Sequence, residues 1–100
     1  MVILDFIKCN GETYEVNSVS MTGFDQFLNP AMALRNEMFG IQAVGETMIW
    51  AVTADKTRRD PILHCQRYLK VESIQSNHAK IVDKLKRGND NFFNGDGYPK

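Results

Sequence analysis

Cys9, His64, Cys65 and His78 are the residues of this chain with the chemistry of a metal or thiolate centre. Their spacing works against both uses. His64 and Cys65 are adjacent, so on a strand they point to opposite faces, and no C-x-x-C or H-x-x-x-H pair sets two ligands on one tetrahedral ion. Catalysis by a cysteine needs a base and an orienting group beside the thiol, which neighbouring positions on a strand do not provide. A buried strand cysteine is also inert. Glu12 and Glu15 have acid–base chemistry, but nothing in the sequence places them in a cleft. Asp90–Gly95 opens like a calcium loop, yet Phe92 stands where an oxygen ligand belongs and no glutamate closes the loop. The expectation is therefore no catalytic residue, no metal, no cofactor and no enzymatic activity. His78 falls on an apolar helical seam, which suits a partnered core histidine or one at a homodimer interface.

The cations offer more. Residues 1–55 hold two bases and seven acids, a net −5, whereas residues 56–100 hold ten bases and five acids, a net +5, so the formal net charge of zero conceals a chain that changes sign midway. Lys56, Arg58 and Arg59 crowd one turn. Lys80, Lys84 and Arg87 fall on one stripe of the last helical pattern, roughly 180° to 240° round from His78 at about 100° per residue. Cations beside Ser73, Ser76 and Asn77 suit an acidic partner, since charge supplies affinity and small polar groups fix register. The six cations are the candidate binding residues, with Phe92, Phe93 and Tyr98 as candidate contacts from a C-terminal tail. This points to a small adaptor, regulator or inhibitor that binds another protein, with a nucleic-acid-binding domain using the same cations as the alternative. The overall pI of 6.7 favours the protein partner.

These residues need elements to position them. Val2–Cys9 and Glu12–Val19 flank Asn10-Gly11, the strongest short signal of a type I′ hairpin, which sets Cys9 against Glu12, Ile7 against Tyr14, Asp5 against Val16 and Ile3 against Ser18. The first strand is apolar on both faces and is expected inside the sheet, with the second nearer an edge. Ser20–Gly40 reads as helical, with Pro30 in the first turn of its main segment and Gly40 closing it. Thr47–Thr53 is a third strand, expected beside the first, and residues 54–60 its exposed turn. Residues 61–71 read as either helix or strand, with a strand preferred. Val71, Ile74, His78, Ile81 and Leu85 mark the last helix, which Ser73 caps and Gly88 ends.

The order β-β-α-β-β-α implies a two-layer α+β domain over residues 1–88, an antiparallel sheet of three to four strands with two helices on one face. Residues 89–100 lack periodicity and read as a flexible tail. The N-terminus has no basic segment or long apolar run, no stretch is long enough to span a membrane, and two cysteines suit a reducing compartment, so the expected location is the cytoplasm.

Overall fold

A computed structural model of the chain describes residues 1–20 and 43–95. Four strands, β1 (Val2–Cys9), β2 (Glu12–Ser20), β3 (Gly45–Val52) and β4 (Arg58–Tyr68), form an antiparallel sheet in the order β1-β2-β3-β4, and one helix, α1 (Glu72–Lys86), follows. The expected α+β class, antiparallel sheet and final helix are present. The helix expected over Ser20–Gly40 lies outside the described residues, apart from Ser20 itself, which ends β2.

The Asn10-Gly11 turn has positive φ at both central residues, 52° and 80°, as a type I′ turn requires, and the β1–β2 register is the one that turn dictates. Strand order differs from expectation. Among the described residues β1 is an edge strand rather than a central one, β2 is internal, and β3 lies beside β2. Of the polar residues that argue for an edge position of β2, Glu15 is buried against Arg58, whereas Asn17 keeps a buried Oδ1 with no hydrogen-bond partner among the described residues. β1 instead leaves Val2 and Leu4 exposed.

β4 also begins earlier than expected. Arg58 and Arg59 pair with Val52 and Ala51 as strand residues, so the turn is confined to residues 53–57. The β3–β4 register then shifts between Ile49 and Ala51, and Asp60-Pro61, a cis bond, lies in the extra length of β4. An irregularity on an outer strand accommodates a residue that lacks an N–H.

α1 packs across β1, β2 and β3. Strand alternation places Asp5, Ile7, Tyr14, Val16, Ser18, Thr47 and Ile49 on the face beneath it, and Ile7, Cys9, Tyr14, Val16, Ile49, Ile81 and Leu85 make the core. Helix and sheet approach closely at Gly45, where an added Cβ would lie 2.3 Å from Ile74 Cδ1 and 2.7 Å from the Val19 carbonyl oxygen. The N-cap is Val71 without a side-chain cap, so Ser73 lies inside the first turn instead of capping it. The C-terminus ends as expected. Gly88 N–H donates to the Leu85 carbonyl and Asn89 N–H to the Lys84 carbonyl, the paired bonds of a Schellman motif.

Residues 89–95 are not the free tail the composition implied. Phe92 and Phe93 pack against the core, and the Asn94 side chain binds the outer edge of β4, accepting from Cys65 N–H and donating to Cys65 C=O, each at 3.0 Å. Gly95 N–H donates to the Leu63 carbonyl. Two adjacent phenylalanines bury enough apolar surface to offset the ordering of a short polar segment. Tyr98 lies outside the described residues.

Candidate functional site

The candidate cations gather at one end of the sheet. Tyr14 is opposite Ala51 and Ala51 opposite Arg59, so the β1–β2 turn, the end of β3 and the start of β4 lie together. The C-terminus of α1 is held there by Asn10 Nδ2, which donates to the Gly88 carbonyl at 3.0 Å, and by Tyr14 Oη, which donates to Asp90 at 3.1 Å. Lys56, Arg58, Arg59, Lys84 and Arg87 therefore share an end, with Lys80 two turns back along the helix.

They do not share a face. Lys56 Nζ sits 4.8 Å from the Phe6 ring centre and the Arg58 guanidinium 3.8 Å from that of Trp50, on the face away from α1. Arg59 lies on the helix face, as do Lys84, which is 4.9 Å from the Phe92 ring, and Arg87. Most of the charge is already engaged. Arg58 binds buried Glu15 at 2.7 Å, Arg59 binds Glu12 at 2.6 Å and Arg87 binds Asp83 at 3.1 Å. The end is thus a mosaic of both signs, and the sequence tally of bases overstates its positive field.

A second constellation escaped the sequence reading. His78 Nδ1 is 2.6 Å from Ser18 Oγ, and His78 Nε2 is 2.7 Å from Asp5 Oδ2. Ser18 Oγ is also 2.5 Å from Thr47 Oγ1, which accepts from Tyr68 Oη at 2.8 Å. With the His78 imidazole neutral, one set of directions satisfies every bond. Tyr68 gives its proton to Thr47, so Thr47 gives its own to Ser18, and Ser18 in turn donates to Nδ1; Nε2 then carries the hydrogen that Asp5 accepts. Five residues from the four described strands and α1 thus form one chain, which starts at the Tyr68 hydroxyl and in which Thr47 and Ser18 each accept one hydrogen bond and donate one.

Ser, His and Asp in contact suggest a hydrolytic triad, and access decides against that role. Ser18 has 0 % of its surface exposed and its oxygen already accepts from Thr47, so no scissile carbonyl can approach it. The chain opens to solvent only at Asp5, whose side chain is 46 % exposed and borders a groove of about 490 Å³ between β1 and α1. The available signals are a lone carboxylate in an apolar strand and a histidine on an apolar seam; what joins them is the packing of α1 over β1 and β2, which neither pattern records.

The other candidates are quiet. His64 is buried against Phe92 and Phe93, its Nδ1 accepts from Asn94 N–H, and burial pushes its pKa down. Burial, reinforced by the Asp90 carboxylate, pushes the Cys9 thiol up and away from a thiolate nucleophile. Among the described residues no three His, Cys, Asp or Glu side chains group to hold a metal ion, and no helix is long and apolar enough to cross a membrane. Compared with known protein families, with curated proteins and with solved structures, the chain finds no match.

Proposed function

We propose that this domain is a small non-enzymatic binding protein, an adaptor, regulator or inhibitor, that docks a protein partner on the end carrying Lys56, Arg58, Arg59, Lys84 and Arg87. The observation behind this reading is the convergence of the two basic groups at that end, together with Glu12, Glu15, Asp83 and Asp90 interleaved among them. Carboxylates among the cations suit a partner that is itself of mixed charge. They disfavour a phosphate backbone, which repels each of them and needs an uninterrupted positive track.

The test uses Arg59→Glu, Lys80→Glu and Lys84→Glu together, leaving Arg58 in place because its removal strands the buried Glu15 carboxylate. Affinity capture from a lysate of the source cell at low salt is expected to retain a protein partner that the triple variant releases. Identical recovery by both proteins removes the proposal. Binding of generic DNA or RNA whose affinity falls on a log–log salt plot by several phosphates' worth of slope replaces it with the nucleic-acid reading.

A further inference from the structure

We infer that the outer edge of β1 is a second docking surface, which receives an extended segment of a partner protein carrying a lysine or arginine opposite Asp5. This surface is distinct from the basic end and stands or falls separately from it.

The backbone defines which groups are on offer. Ser20 N–H donates to the Met1 carbonyl, so the odd-numbered residues of β1 make the hydrogen bonds to β2, in step with closure of the two-residue turn at Cys9 and Glu12. Val2, Leu4, Phe6 and Lys8 therefore turn their N–H and C=O groups outward. Among the described residues no strand lies beyond β1. Val2 is 68 % and Leu4 50 % exposed, so this is a long, apolar edge, the kind that pairs with added strands. The opposite edge of the sheet differs, since Asn94 and Gly95 occupy the outward groups of Cys65 and Leu63.

The groove selects the side chain. Its walls are Ile3 and Asp5 from β1 and Gln75, Val82, Asp83 and Lys86 from α1. A strand added beyond β1 sends alternate side chains into this groove. On that outer side the odd residues of β1 form the non-hydrogen-bonded pairs, whose Cα atoms approach to about 4.5 Å, so the residue opposite Asp5 meets its carboxylate closely. One oxygen of Asp5 is anchored by His78 and the side chain is half-exposed, which leaves a fixed acceptor facing the incoming strand. Among the described residues the Asp5 carboxylate is met by His78.

The charge pattern also decides between a partner and a second copy. In any antiparallel pairing of two β1 strands that keeps both helices on one face, odd residues meet odd residues, and these are Ile3, Asp5, Ile7 and Cys9. None is basic, so self-pairing leaves Asp5 opposite an apolar residue or another Asp5. A foreign strand with Lys or Arg at that position satisfies it.

The experiment titrates the full chain into fluorescein-labelled, end-blocked heptapeptide pools whose central residue is fixed as Lys, Arg, Leu or Glu within an alternating Thr/Val background. The expected result is binding by the Lys and Arg pools at least about tenfold tighter than by the Glu pool, as one charge-assisted hydrogen bond gives. Asp5→Asn, which can still accept from His78, erases that preference. Leu4→Pro removes only an outward N–H and weakens all pools at least about tenfold. Peptides N-methylated at alternate positions give the same answer without a variant: one set loses binding and the other keeps it. The inference is overturned by pools that bind alike, by no binding up to about 1 mM, by equal tolerance of both N-methyl sets, or by sedimentation showing a dimer that Leu4→Pro dissociates, which would give the edge to a second copy.

Discussion

Replacing Ser18 by alanine tests the buried hydrogen-bond chain at its centre. The hydroxyl accepts from Thr47 and donates to His78 Nδ1, and Thr47 and His78 are themselves 0 % and 3 % exposed. Deleting it leaves one donor and one acceptor in the interior with no solvent to turn to, at about 1–3 kcal/mol each. Ser18→Ala is therefore expected to cost about 2–6 kcal/mol, a large share of the ~5–15 kcal/mol available to a domain of this kind. The cost to a serine that merely fills space is far smaller. Thr47→Val, nearly isosteric, strands Ser18 and the buried Tyr68 hydroxyl instead. In the double variant neither residue 18 nor 47 retains a polar group to strand the other, so the combined loss falls short of the sum by about 1–3 kcal/mol. Urea unfolding of the full chain with an unchanged m-value provides the measurement. A single-variant cost within about 0.5 kcal/mol of zero, or additivity to within about 0.5 kcal/mol, refutes the chain as drawn.

Gly45→Ala forces a methyl group into Ile74 and the Val19 carbonyl, so chemical denaturation should show a loss of about 1–3 kcal/mol, while Gly11→Ala meets no atom and loses only the turn conformation. Burial and the Asp90 carboxylate push Tyr14 up to about 12. The folded state holds that proton more tightly than the unfolded chain, so its contribution is complete below pH ~10 and drains away as pH rises from ~10 to ~12; absorbance titration near 295 nm should show tyrosine ionisation delayed until unfolding, and Asp90→Asn should advance it. His64 is shifted the other way by burial. The unfolded chain takes up its proton first, so stability is complete above pH ~6.5 and falls as acid is added below it, with the His64 ring proton expected to titrate below the ordinary histidine value by NMR.

Local signals are legible in the sequence and strand order is not. Asn10-Gly11 fixed a register that the structure reproduces pair for pair, and the 3-4 spacing from Ile74 to Leu85 located the buried stripe of α1. Polarity misleads at β2, because Glu15 reads as a mark of a solvated edge when it is buried against a partner distant in sequence. An alternation pattern records which residues are polar and carries no information about whether Arg58 will meet Glu15 or His78 will meet Ser18 and Asp5. The same blindness affected the basic tally: Arg58, Arg59 and Arg87 count as cations in sequence, but in the fold each lies against a carboxylate. Residues 89–95 failed for a different reason. Their Asn and Gly content is what a free tail has, and it is also what a segment needs to turn back and place an amide on a strand edge.

That amide bears on how copies of the protein can associate. Asn94 presents to Cys65 the same donor and acceptor that a neighbouring peptide group would, so β4 is terminated within its own molecule. Among the described residues the sheet thus has one edge, β1, with no strand beyond it and another, β4, whose Cys65 groups and Leu63 carbonyl are already met from within the molecule. Asp5 already opposes self-pairing through β1, and Asn94 blocks the other route, so its removal would open the Cys65 groups of β4 to a neighbouring copy and favour association.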